Sequence, residues 1–455
     1  MKHRNRITSA VALLIALALV GGCAKTSQTE ATGKGTIRGI NAIVTAPDLS
    51  FLIEERSLGS VTFKGVAGFN RYDDLSYNFN FDIQLPGTTS LTRLATEFID
   101  VVADTEYTLV LTGSVANPTI MRWEEPERTW AETETVFEAD FVHLSPEIGE
   151  VDVYFAPVGI APTLGSAIGT LNYGDRIPYA EFQDAQFQIF VTPKDDVDPL
   201  NYLYQSAIFS SSPGTRVTFA LFDPDPSITA DIAVNLISAS GGSTSIPDIT
   251  KPAVIRLLHA AIDIGRVDGF FNSDFATNVF PDVGFGEVSA YTDIGTIATT
   301  VTLTDLGNTG AIVHEEEISG SGNSKRTIVL GGASSTLLFK GLRDEGRPLE
   351  TNPVMRITNT SLNSDVVTIY LLDPGTPITA DERPVYAGLP VQVDTGFFGI
   401  ESGIRELTIT SFGTIEPIST PITIDVTNGD FADIVILDNV DPGVVDVVIF
   451  DSNLP

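Results

Sequence analysis

Apolar and polar residues alternate at period two along much of this 455-residue chain. Residues 77–83 (YNFNFDI) and 187–192 (FQIFVT) are the clearest cases. That spacing sends one side of a strand into a core and the other to water. Shorter β-branched or aromatic runs at 106–113, 216–222, 298–303, 407–411 and 432–437 are bounded by Gly, Pro, Asn or Asp, the punctuation of turns. No stretch sustains apolar spacing at 3.6, so long helices are not expected.

One pattern recurs. Residues 141–157 read FVHLSPEIGEVDVYFAP: a short apolar strand, a Ser-Pro-Glu-Ile-Gly turn, and a returning strand ended by Pro157. Residues 255–271 repeat it as IRLLHAAIDIGRVDGFF, with His259 where His143 stood. Residues 355–372 read MRITNTSLNSDVVTIYLL, with Arg356 in the place of Arg256. A fainter copy, INAIVTAPDLSFLI, spans residues 40–53. Four β-rich units are therefore expected, at 37–135, 136–252, 253–352 and 353–455. Each holds some seven short strands with turns every 8–12 residues. The predicted fold class is all-β: tandem immunoglobulin-like β-sandwich domains. Within them, the Glu124–Arg128 stretch EEPER reads as an exposed connection and residues 314–323 as an acidic, glycine-rich loop.

The hairpin, with the Tyr-Gly or Phe-Gly segment that follows it, resembles the domain-of-unknown-function 4397 family. The second unit carries the resemblance at His143, Ser145, Pro146, Val151, Asp152, Val153, Tyr154, Tyr173 and Gly174. The third carries it at Arg256, His259, Val267, Asp268, Phe285, Gly286, Ser289 and Tyr291. The fourth keeps Arg356 but has Asn359 for histidine, and the first keeps only Ala46-Pro47-Asp48 and Tyr107-Thr108-Leu109. The resemblance implies exported or envelope-attached bacterial β-domains in tandem, and no established activity.

Composition narrows the setting. Apolar residues make up 43% of the chain, enough for packed cores, and the formal charge is −33. So acidic a surface repels nucleic acid and anionic headgroups. Cys23 is the sole cysteine, so no internal disulfide supports the domains. It follows a basic start (Lys2, Arg4, Arg6), the apolar run AVALLIALALV at 10–20, and Gly21-Gly22. That is an export signal, too short for a usual membrane span. Its end resembles the lipobox of bacterial lipoproteins. The resemblance implies cleavage between Gly22 and Cys23 and acyl chains, palmitate among them, on Cys23, giving stable membrane attachment. Residues 1–22 would then be the signal peptide and 23–36 a flexible polar tether. Ala24 in place of aspartate favours the outer membrane.

Candidate chemistry is sparse. His143 and His259 share one place in two units and read as hairpin histidines bonded to a nearby carbonyl. His314-Glu315-Glu316-Glu317 lacks the second histidine of a zinc-protease helix, and no Gly-x-Ser-x-Gly or phosphate loop occurs. Asp223, Asp225 and Asp231 alternate as calcium ligands do, but Ile228 and Val234 stand where an EF-hand needs glycine and glutamate. Residues 194–198 (KDDVD) form a second acidic loop. The expected role is a lipid-anchored envelope protein that binds an envelope protein or glycan, or acts as a spacer. No catalytic activity or cofactor is expected. The alternatives are a secreted polysaccharide-active hydrolase or its accessory module, and a calcium-dependent surface adhesin.

Overall fold

The structure is a computed structural model; it describes residues 30–295, 298–320 and 322–452. Its strands assemble into eight sheets, two for each of four successive sandwiches. The first sandwich sets the pattern. Its strands are β1 (Lys34–Asn41), β2 (Leu49–Ile53), β3 (Arg56–Val61), β4 (Val66–Asp73), β5 (Ser76–Gln84), β6 (Leu91–Asp100), β7 (Thr105–Gly113) and β8 (Pro118–Pro126). One sheet has the order β4-β1-β7-β8 and the other β3-β2-β5-β6. β1 runs parallel to β7 in the middle of its sheet, with Arg38 opposite Thr108. The same parallel pair recurs as Val136–His143 with Arg216–Phe222, Ala253–Ala261 with Lys325–Ala333, and Val354–Asn359 with Phe431–Asp438.

The tandem all-β sandwich architecture is thus as expected. Each sandwich has eight strands rather than some seven, and the second adds a ninth, Ser243–Ile246. In the immunoglobulin order the first two strands share a sheet; here β1 and β2 lie in opposite sheets. Two expected loops are strands. β8 runs on through Glu124-Glu125-Pro126, because an edge strand tolerates a terminal proline and exposed carboxylates. Asn308–Ile318 includes His314 and the glutamates, as an edge strand paired with Thr299–Asp305.

Each sandwich has its own core. In the second, Phe155 stacks on Phe187 at 4.4 Å and meets Phe141 edge-on at 5.5 Å. Such aromatic pairs add roughly 0.5–1.5 kcal/mol beyond area burial.

A second kind of core joins the sandwiches in pairs. Along Arg216–Phe222, Phe219 and Leu221 enter the sandwich's own core. Their alternates Ala220 and Phe222 enter another, shared with Val142, Leu144 and Ile237 and with Ile40, Phe63 and Val110 of the first sandwich. The third and fourth sandwiches repeat this: Ile434 and Ile436 face inward, while Val435 and Leu437 meet Leu258, Ala260, Val329 and Leu342. The β1-type sheet of every sandwich is therefore covered on both faces. Covered sheets read as continuous apolar runs rather than clean alternation, as in RVTFALF and ADIVIL.

The two pairs also touch. Residues after Arg216–Phe222 bridge to the third sandwich, with Ile228 opposite Ser324 and Thr229 N–H donating to Asn323 O at 2.7 Å. The connection between the third and fourth sandwiches lies on the β1–β2 turn of the first. There Glu350 N–H donates to Thr45 O at 3.0 Å and the Arg347 guanidinium donates to Val44 O and Ala46 O.

Candidate functional site

The hairpin histidines hold turns. His143 Nδ1 accepts from Ser145 N–H at 3.3 Å, and Nε2 faces Gly149 O at 3.1 Å. His259 does the same with Ala261 N–H at 3.3 Å and Gly265 O at 2.8 Å. An N–H donor on one nitrogen and a carbonyl at the other fix a neutral ring with its proton on Nε2. Both rings are fully buried. Asn359 and Asn41 do this job in the other two sandwiches. Their amide oxygens accept from Ser361 N–H and Ile43 N–H, each at 3.0 Å; Asn359 Nδ2 donates to Ser364 O across the turn and to Leu389 O, and Asn41 Nδ2 donates to Val61 O on β3.

Burial pushes both imidazoles below their ordinary pKa of 6.5; the bonds to Gly149 O and Gly265 O oppose this, as do the nearby Asp223 and Asp175 for His143 and Glu287 for His259. A depressed histidine pKa favours the folded state while the ring is neutral. The stabilisation is full above about pH 6.5 and is lost as pH falls from there toward the folded-state pKa. Melting temperature should therefore drop on acidification from pH 7 to 5.5. Replacing both rings as His143→Asn and His259→Asn should flatten that drop without unfolding the protein, since Asn already serves in two sandwiches. Equal pH slopes for the double variant and the parent would show that these rings do not titrate in this way.

The rest of the motif is also engaged by the fold. The Tyr173-Gly174 segment lies on the histidine's backbone: Gly174 N–H donates to His143 O, and His143 N–H to Asp175 O. Gly286 and Glu287 treat His259 alike, Lys64 and Gly65 serve Asn41, and Gln392 and Val393 serve Asn359. This position is left-handed in all four, with φ of 63° at Lys64, 87° at Gly174, 76° at Gly286 and 62° at Gln392. Glycine relieves that strain in two units and is absent from the others, which hid the equivalence. Asp152 accepts from Asp195 N–H at 2.8 Å and from the Thr170 hydroxyl. Asp268 accepts from Gly307 N–H, Asp282 N–H and Asn278 at 2.7–3.0 Å. Burial works against the Asp268 charge, and these donors outweigh it, holding the carboxyl below its ordinary value.

The arginine position lies between paired sandwiches. Arg256 donates to Thr327 at 2.8 Å and lies over Tyr291 and over Phe450 of the fourth sandwich. Arg356 is 3% exposed and forms a two-pronged pair with Asp433. Arg38 is the first sandwich's copy, unrecognised in the sequence; it reaches Thr108 at 2.8 Å and Thr218 of the second sandwich at 3.3 Å. Asp140 replaces it in the second sandwich, where Arg176 binds Asp140 at 2.6 Å and also pairs with Glu125 of the first.

The three aspartates weighed as calcium ligands each have a protein partner. Asp223 accepts from Ser145, Asp225 pairs with Lys64 and caps Ser227 N–H, and Asp231 pairs with Lys251 at 2.6 Å. In the 194–198 loop, Lys194 pairs with Glu150 at 3.0 Å and Asp198 caps a short turn. Among the described residues, no group of three or more His, Cys, Asp or Glu is placed to hold a metal ion. Gly22, Cys23 and the expected cleavage point lie outside the described residues.

A cleft of about 730 Å³ lies where the sandwich pairs meet. Its walls come from the first sandwich (Phe63, Lys64, Leu85), the second (Asp225), the 343–352 connection (Arg343, Arg347, Leu349) and the fourth (Phe397). Arg347 also lines a second cavity of about 480 Å³ on the other side of the connection. No sequence signal marked this place, since the segment RDEGRPLETN reads as a polar connection.

No curated protein matches the chain. Among solved structures, it is similar to a product complex of a multi-modular glycogen-degrading pneumococcal virulence factor, SpuA, at 8% identity over 85% of this chain. The match spans 37% of that longer chain with a TM-score of 0.15, too low to carry any argument. Residues 35–154, the first sandwich with the opening hairpin of the second, match the model of a family described as a domain of unknown function, DUF4397.

Proposed function

We propose that this chain is an exported, lipid-anchored protein of the cell envelope, in which four fused sandwiches serve as a binding or spacing body rather than as a catalyst. The observation that carries the non-catalytic reading is the engagement of the motif residues. His143, His259, Asp152 and Asp268 hold turns, and Arg256 and Arg356 lie in the seams between sandwiches. Anchoring rests on the sequence: Cys23, the sole cysteine, ends an export signal with Gly21-Gly22 before it. Acyl chains on that sulfur would hold the protein at a membrane, with the outer membrane favoured by Ala24. The partner is an envelope protein or glycan; the charge of −33 disfavours nucleic acid.

Cys23→Ser should abolish acyl labelling and leave the precursor uncut. Normal processing and detergent partitioning of the Cys23→Ser protein would overturn the anchoring.

A further inference from the structure

Two guanidinium groups line the junction cleft, neither in an ion pair among the described residues. Among the described residues the Arg343 side chain makes no hydrogen bond or ion pair; Arg347 donates to the carbonyls of Val44 and Ala46, lies over the Phe63 ring at 5.1 Å, and has Asp48, Asp225 and Glu345 near it but not bonded to it. Arg128, Arg176, Arg216, Arg266, Arg356 and Arg405 each hold at least one carboxylate, whereas Arg347, like Arg38, is held by neutral oxygens. Lys64, across the cleft, is already neutralised by Asp225. Arg343 is exposed, whereas Arg347 is partly buried against neutral acceptors, which is unfavourable for a cation, and an anion brought to it lowers that cost.

We propose that this cleft binds a small organic oxyanion, a carboxylate or phosphate head on a sugar-sized body, held by Arg343 and Arg347. A guanidinium presents paired N–H donors that match either head group. The volume of about 730 Å³ lies in the range usual for small-molecule sites, about 300–1,000 Å³. Phe63, Leu85, Leu349 and Phe397 supply apolar walls for the body of the ligand. Asp48 and Glu345 also line the cleft and repel a polyanion, which selects a single negative group. The site does not depend on lipid anchoring.

The test is calorimetric titration of the full chain, in chloride buffer, with D-glucuronate, glucose 6-phosphate and neutral glucose. At least one anion should bind saturably and weaken with added salt, while glucose should not bind; which anion binds identifies the head group. Arg343→Gln should weaken binding roughly tenfold, about 1.4 kcal/mol, with an unchanged melting temperature, because its side chain supports no contact. Arg347→Lys should also weaken it, by keeping the charge and losing the fork. No saturable binding of either anion up to roughly 10 mM, which is weaker than about −3 kcal/mol, would overturn the proposal. So would equal binding of glucose, or affinity unchanged in both variants.

Discussion

Residues 136–252, expressed alone, should not unfold as a cooperative unit, whereas residues 30–252 should. The second sandwich closes its own core with Phe137, Phe141, Phe155 and Phe219. Its other apolar layer, with Val142, Leu144, Phe222 and Ile237, is completed by the first sandwich. Exposing a buried side chain of this size costs roughly 1.5–3 kcal/mol. Four of them amount to a large share of the 5–15 kcal/mol that holds a typical domain together. The cut also removes Glu125 from Arg176 and Glu106 from Arg216. The expected readout is a broad melting transition and strong binding of a hydrophobic dye for 136–252, and a sharp transition with little dye for 30–252. A sharp, dye-silent transition in the single sandwich would mean that the shared layer contributes little.

Arg356→Ala should destabilise the protein by about 3–5 kcal/mol, the usual penalty for removing one side of a buried ion pair. Arg356 and Asp433 are 3% and 1% exposed, so water cannot replace the lost bonds cheaply. The Nη1 bond at 2.6 Å to Arg343 O would go as well. Replacing both charges, as Arg356→Met with Asp433→Leu, should cost much less, because apolar substitutes of similar volume are often neutral or stabilising. Denaturant midpoints of the two variants make the comparison. A single variant within about 1 kcal/mol of the parent would show that the carboxylate finds another cation or becomes protonated.

Period two and the recurring hairpin were enough to read strands, sandwiches and their fourfold repeat from the sequence. Strand number fell short because Gly169–Leu171, Tyr204–Gln205 and Phe398–Gly399 are too short to show any period. Equivalences were hidden where chemistry changes while geometry stays. Lys64 and Gln392 adopt the backbone of Gly174 and Gly286, and Asn41 and Asn359 copy the bonds of His143 and His259. The pairing of sandwiches left a trace that was not used: ADIVIL and RVTFALF are apolar on both strand faces, which a single core does not require. The junction cleft left none. Arg343 and Arg347 share it because a connection crosses from one pair to the other, and that path follows from packing between remote parts of the chain.

The doubly covered sheet has an arithmetical consequence. A sandwich of this kind is complete only beside another, so chains built from it should grow and shrink by twos. An odd sandwich would present a bare apolar sheet, with Val142, Leu144, Phe222 and Ile237 or their counterparts facing water. Such a chain would have to find its cover outside itself, in a second copy or in another protein, and its parity would decide whether it works alone.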